Sequence, residues 1–371
     1  MISKSAFKVV RALLLSMFVL AFVIPKLSWA ADYGKASGPV ELTVGFPCCY
    51  AATWSAYVVK EKELWKKYLP QGSKINYNIA IAGPPIINGM LADKIQIGYL
   101  GDMPAIVLTT KNNVADVRLV ATTALSYDQC NILLVRPDAP NFATSQAAVS
   151  WLAGKQMGIP RGSCGDRFAS VIMHRNKVEA GSYLNQNIEV ITSNFRAKKI
   201  DAAVVWEPVA SQIINQGIAK RVASGVNFNM TDGAFLAMRQ DLISARPDIV
   251  HDWLEAELDA QLFMSNPKNA EEVVEIVHKN IPNFGKEEIR DALFKRYPDN
   301  QGGTDVRLTQ PFTFPTEVRK LLADETSFLY SVKGIATPKM RDDAIYSKPA
   351  DGVLKARGLT SPVGQIKAII K

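Results

Sequence analysis

From Glu41 to Ala223 the apolar residues switch between two periods, runs alternating every second residue and stretches with an apolar stripe every third or fourth. Glu41 to Phe46 (ELTVGF) predicts a strand, and Trp54, Tyr57, Val58, Leu64, Trp65 and Tyr68 share one side of a helix over 53–68. Ile75, Tyr77, Ile79 and Ile81 alternate as a second strand, and Gly83-Pro84-Pro85 opens a short helix to Ala92. Strands over 95–100 and 117–125, with a helix over 103–111 between them, complete a first block. A second block reads as strands over 131–135, 154–160, 188–191, 200–206 and near 221–223. Helices over 146–152, 163–178 and 207–216 alternate with them, together with a helical turn over 195–199. This order specifies an α/β chain of two lobes, each a mostly parallel sheet flanked by helices. Beyond Asp241 strand patterns almost vanish, and amphipathic stretches predict helices over 248–264, 270–279, 286–297 and 315–331. At 371 residues the chain has room for about two domains.

A formal net charge of +8 invites a nucleic-acid reading until the charge is located. Lys4, Lys8 and Arg11 precede an apolar run from Ala12 to Ile24, and Ser28-Trp29-Ala30 follows as a small-x-small site. That is the pattern of a secretory signal peptide over residues 1–30, too short in its apolar run for a membrane span of ~20 residues. With Lys4, Lys8, Arg11 and Lys26 removed, the mature chain carries 39 basic and 35 acidic residues. No basic run with interleaved aromatics remains, and nucleic acid is excluded as a partner. No cysteine precedes Cys48, so the expected product is exported, periplasmic and not a lipoprotein.

Ligands of open α/β sheets bind outside the carboxyl ends of the strands, and four such junctions carry unusual residues. Pro47-Cys48-Cys49-Tyr50 leads to Thr53, a candidate N-cap. Gly101-Asp102-Met103-Pro104 offers Asp102 as a cap. Arg161-Gly162-Ser163-Cys164-Gly165-Asp166 offers Ser163 as a cap, and Trp206-Glu207-Pro208 forms the fourth junction. Free amides and helix dipoles at such starts suit a small oxyanion. Asp102 and Glu207 would repel an anion unless Arg161 offsets them, or unless the ligand is a zwitterion that presents an ammonium to them.

The motifs LTVGF, Ala82-Gly83-Pro84-Pro85 with IINGMLADKIQIGYLGDMPAI, GKQMGIPRGS and IDAAVVWEP, in this order, resemble the periplasmic substrate-binding proteins of nitrate/sulfonate/taurine-type ABC importers. The likeness runs from Glu41 to Gly225, and RQDLISARPDIV and SNPKNAEEVV extend it. It implies a type II periplasmic-binding fold, with lobe I from residues 31–126 and 226–371, lobe II from 127–225, and crossings near Tyr127 and Val226. It also implies ligand contacts at Pro47, Cys48, Cys49, Gly101, Asp102, Gly162, Ser163, Trp206 and Glu207, to which the junctions add Thr53, Arg161 and Cys164 as candidates. The expected partners are a small-molecule ligand and a membrane permease with its ATPase, the chain acting as a monomer without cofactor or metal. The sequence keeps Gly162-Ser163 but has Cys164-Gly165-Asp166 where sulfonate binders often carry a histidine three residues past the serine.

Cys48, Cys49, Cys130 and Cys164 read in three ways: inert buried thiols, structural disulfides, or a soft surface for a sulfur compound or thiophilic metal. Adjacent cysteines close a cramped ring, so a bridge from one of them to Cys130 or Cys164 is favoured over Cys48 to Cys49, with Cys130 to Cys164 a further possible pair. His174, His251 and His278 lie far from other ligand types and read as packed or surface residues. Pyrimidine-precursor synthases of thiamine biosynthesis share the implied fold and carry cysteine-rich segments, which keeps an enzyme or pyrimidine binder as an alternative. A periplasmic sensor domain is another. No nucleophile and base pair stands in the motifs, and a binding protein rather than an enzyme is expected.

Overall fold

The computed structural model describes residues 33–370, and the signal peptide expected over residues 1–30 lies outside them. The strands are β1 (Glu41–Pro47), β2 (Lys74–Ala80), β3 (Ile97–Gly101), β4 (Val117–Ser126), β5 (Ile132–Val135), β6 (Gln156–Ile159), β7 (Ser182–Asn185), β8 (Ala202–Val205), β9 (Lys220–Ser224), β10 (Asp232–Arg239), β11 (Val306–Gln310) and β12 (Gly364–Lys367). One sheet has the order β12-β11-β4-β10-β3-β1-β2, the other β7-β6-β8-β5-β9. β1 pairs in parallel with β2 and β3, and β6 with β7 and β8, as strand-helix-strand units require.

The chain leaves the first sheet after β4, builds the second with β5 to β9, and returns as β10. The strands that enter and leave at these crossings run antiparallel to their neighbours, β5 to β8 and β9 and β10 to β3 and β4, and β11 does so to β4 and β12, so both sheets are mixed rather than mostly parallel as expected. Asp232 stands opposite Ser126 in the β10–β4 pair, so the crossings at 127–131 and 225–231 lie side by side. Gly225 N–H donates to the Asn131 carbonyl at 3.0 Å, and Asn131 Nδ2 donates to the Met230 carbonyl at 3.0 Å. A Cβ on Gly225 would stand 2.1 Å from the Met230 oxygen and 2.3 Å from the Tyr127 oxygen. Only glycine fits between the two crossings.

Each sheet buries its own core. Ile86, Met90, Leu100, Met103, Ile106 and Phe235 pack against Val318 and Leu322 of the Thr316–Ser331 helix. On the opposite face the Pro247–Ser265 helix buries Trp253, whose Nε1 donates to the Tyr99 hydroxyl of β3 at 3.2 Å. In the second sheet Leu133, Val135, Met157, Ile159 and Val204 meet Phe168 and Ile172 of the Cys164–Arg175 helix. Each such side chain contributes roughly 1.5–3 kcal/mol of burial.

Three local expectations change. The stretch over 53–68 is a 3-10 turn at Ala51–Thr53, a helix at Ser55–Glu61 and a second 3-10 turn at Leu64–Lys67, with Glu63 at φ 49° breaking the run. Residues 188–191 are helix, not strand. Asn187 accepts from the Val190 amide as N-cap of Ile188–Arg196, and Ile191 and Phe195 are its buried positions; the strand lies earlier, at Ser182–Asn185. The C-terminal part also supplies β11 and β12 to the first sheet.

Gly225→Ala should lower stability by about 1–3 kcal/mol, the usual penalty for overpacking, read from the urea midpoint. An unchanged midpoint would show that the crossing backbone has room to move.

Candidate functional site

A cavity of about 190 Å³ opens where strand ends of the two sheets face each other. Tyr50 after β1, Ala82 to Pro84 after β2, and Gly101, Asp102 and Pro104 after β3 form the first wall. Pro160 to Cys164 after β6 and Trp206 after β8 form the second, and Cys130 of the first crossing lies between. Ile81, 63% exposed, stands at its rim. The walls are mainly proline, aliphatic and aromatic. Polar groups are few, and their partners decide what they can do.

In the second wall Gly162 takes φ +74°, which lets the chain turn from β6 into the Cys164–Arg175 helix. Ser163 is the N-cap, its Oγ accepting from the Asp166 amide at 3.2 Å and donating to the Pro160 carbonyl at 2.6 Å. Asp166 closes the turn by accepting from the Gly162 amide at 2.8 Å and the Tyr183 hydroxyl at 2.8 Å. Arg161 lies over the Tyr183 ring, 4.9 Å from its centroid, with its Nε 3.6 Å from Asp166 and its side chain 46% exposed. This wall therefore offers one half-exposed guanidinium and the opening of a 12-residue helix, whose first amides have no carbonyl one turn back. The Ser163 hydroxyl is already committed within the turn.

The first wall is acidic beneath its surface. Asp102 is the first residue of the Asp102–Thr109 helix, with Gly101 as the N-cap, so the expected capping role moves by one position. Its carboxyl accepts from the Met103 amide at 2.7 Å and the Gly233 amide at 2.9 Å, and hydrogen-bonds Glu325. Asp232 accepts from the Tyr50 hydroxyl at 3.0 Å and the Cys130 amide at 3.1 Å. Arg167, from the second lobe, reaches Glu325 at 3.4 Å and the Thr231 carbonyl at 3.2 Å. All three carboxyls are buried, and burial first, then mutual repulsion for Asp232 and Glu325, pushes them above the ordinary carboxylate range.

Four residues expected at the ligand lie elsewhere. Thr53 is buried in the 3-10 turn, its Oγ1 donating to the Tyr50 carbonyl at 2.9 Å, and Trp54 stands at the N-cap of the next helix without a side-chain cap. Glu207 lies behind the wall: it accepts from the Ser211 amide at 2.9 Å and pairs with Arg307 at 3.5 Å. Arg307 also pairs with Asp128, which Arg221 meets at 3.1 Å. Cys48 and Cys49 do not line the cavity; they are bonded to each other, against the pairing favoured from sequence. The turn fixes them there, with Cys48 N–H donating to the Ala80 carbonyl at 2.7 Å and Trp54 Nε1 to the Cys48 carbonyl at 3.1 Å. Cys130 and Cys164 form the other disulfide, with Cα atoms 6.0 Å apart, on the cavity wall. The cavity thus gathers Gly101, Asp102, Arg161, Ser163, Cys164 and Trp206, and adds Tyr50, Pro104 and Pro160, which are not among the expected contacts. Their position at strand ends was the available signal.

Residues 187–278, about a quarter of the chain, match the model of the NMT1-like family. A binding protein of Brucella abortus is 24% identical over 246 residues, 65% of this chain and 71% of its own length. The alkanesulfonate-binding protein of Xanthomonas axonopodis pv. citri superposes with a TM-score of 0.65 at 16% identity, covering 84% of this chain and 99% of its own. The periplasmic nitrate-binding protein of Synechocystis PCC 6803 does so with 0.66 at 15% identity, covering 85% and 88%. A desulfurization enzyme also matches, with 0.64 at 14% identity, covering 85% and 99%, so the fold accommodates catalysts as well as binders.

Two outcomes follow from this geometry. Removing the Cys130–Cys164 bridge by a double change to serine should cost about 2–4 kcal/mol, as expected for a bridge spanning 34 residues; an unchanged urea midpoint would show that the bridge carries no stability. Buried carboxyls that hold protons in the folded state release them on unfolding, so this stability is full below the ordinary carboxylate range and falls as pH rises. Glu257, buried beside Tyr99 and pushed up to about 7 by burial, places its window between about 4.5 and 7. The melting temperature should fall from pH 5 to 8, less steeply in Glu257→Gln; a rise over that range would contradict the assignment. The chain has the two-lobe fold of the periplasmic substrate-binding proteins of nitrate- and sulfonate-type importers.

Proposed function

We propose that the protein is the extracytoplasmic solute-binding component of an ABC importer. It closes two lobes on a small ligand and delivers it to a membrane permease coupled to an ATPase. The observation that carries this reading is the convergence of Arg161 and the start of the Cys164–Arg175 helix on an apolar cavity between the sheets. The pattern favours a ligand with one anionic group and an apolar body, the anion against Arg161 and the helix amides. Asp102 and Glu207 do not oppose that charge as sequence alone suggested: one is raised toward its neutral form, the other is turned away into an ion pair. An ammonium of a taurine-type ligand would find no free carboxylate there. The expected signal peptide, together with the likeness to periplasmic sulfonate- and nitrate-binding proteins, supports a periplasmic location. All four cysteines are paired, so a cysteine nucleophile is not at hand for an enzymatic reading.

A thermal-shift screen of nitrate, alkane- and arylsulfonates, sulfate esters, taurine and pyrimidines tests the proposal. An anion with an apolar body at 100 times its Kd should add about 2.7 kcal/mol of stability, and taurine should do less than the matching alkanesulfonate. Arg161→Ala should weaken the best anion by roughly 10- to 150-fold, the loss of one charge-assisted hydrogen bond. A screen in which only cations, zwitterions or uncharged pyrimidines stabilise the protein would overturn the ligand class.

A further inference from the structure

The Cys48–Cys49 disulfide differs from its counterpart in accessibility and in what it can contribute to folding. Cys48 and Cys49 are half-buried, whereas Cys130 and Cys164 are 0% and 9% exposed. A bridge between neighbours closes almost no loop, so it restricts the unfolded chain very little. Its position gives it another consequence. Three residues after Cys48, the Ala51 amide donates at 3.3 Å to the carbonyl of Glu207, which follows β8 of the second sheet. Between the disulfide and that contact stands Tyr50, which lines the cavity and donates to Asp232. The segment from 48 to 51 thus runs from a half-buried disulfide, along a cavity wall, to a hydrogen bond that joins the two lobes. On the far side Cys48 is anchored through Ala80, Trp54 and Tyr57. A change of conformation at 48–49 reaches Ala51 through Tyr50, whose hydroxyl is held by Asp232 and whose carbonyl accepts from Thr53.

We propose that Cys48–Cys49 is a thiol–disulfide exchange site, open to an external dithiol, and that its reduction loosens the Ala51–Glu207 contact between the lobes. A thiolate of the dithiol attacks one sulfur of the pair and displaces the other as a thiolate, which takes up a proton. The second thiol of the reductant then attacks the mixed disulfide and releases the remaining cysteine, which is protonated in turn. Cys48 and Cys49 together gain two electrons and two protons, and the dithiol leaves as its disulfide. The Cys130–Cys164 bridge, buried at the cavity wall, stays oxidised through this step. The proposal is independent of which ligand the cavity takes.

The test is graded dithiothreitol on the native protein, trapping with iodoacetamide, peptide mapping, and hydrogen exchange on the same samples. Cys48 and Cys49 should be alkylated together at a concentration that leaves Cys130 and Cys164 unlabelled. In that sample, amides of residues 49–53 should exchange about tenfold faster or more, with β5 and β8 unchanged, a local rather than global opening. The double change Cys48→Ser with Cys49→Ser should give the same pattern without reductant. If that variant does not fold, the dithiothreitol series on the native protein decides alone. Opening of Cys130–Cys164 first, or opening of both bridges only on global unfolding, would overturn the exchange site. Selective reduction with unchanged exchange at 49–53 would overturn the link to the lobe contact.

Discussion

The two crossings between the sheets are the constraint on which the rest depends. They lie against each other because β4 leaves and β10 returns as neighbours, and they touch closely enough that Gly225 has no space for a Cβ. Behind them, Asp128 of the first crossing meets Arg221 at the end of the second sheet and Arg307 of β11, and Arg307 meets Glu207. Tyr297 stacks under Arg221, 4.2 Å from its guanidinium. Breaking one member of such a buried set leaves an uncompensated charge at a cost of about 3–5 kcal/mol. The pivot between the lobes is thus held by short backbone contacts and buried ion pairs, while each lobe keeps an apolar core of its own.

That division places the cavity's chemistry. The first wall holds its acids below the surface, where they bond amides and meet Arg167 from the opposite lobe. The second wall holds its cation, Arg161, at the edge, beside a helix start capped by Ser163. The net effect is an apolar pocket with electropositive character on one side, which suits ligand capture. The disulfides sit at its two margins: Cys130–Cys164 joins the crossing to the second wall, and Cys48–Cys49 shapes the turn that leads to Tyr50 and Ala51.

Much of the architecture was legible because burial leaves a periodic mark. The βαβ blocks, the Ser163 turn and the helices at Pro247–Ser265 and Thr316–Ser331 follow from stripes and caps. β10 (DGAFLAMR) was not assigned, since a strand buried on both faces carries no alternation. Residues 188–191 were misread because a short β-branched run fits either a strand or the start of an amphipathic helix until Asn187 is recognised as its cap. Among site residues, Glu207 and Asp102 looked alike in sequence as acids after strands. Arg307, 100 residues further along the chain, and Glu325 separate them, and no local pattern announces either partner.

The sequence by itself determined the alternation of elements and the strand ends where a ligand could be met, because each is written in neighbouring side chains and their spacing. Tertiary structure alone decided which cysteines pair, which acids are buried together and which polar groups face the cavity. Those outcomes depend on distances between residues far apart in the chain, and on the burial that brings Arg167 to Glu325, Arg307 to Glu207 and Cys130 to Cys164.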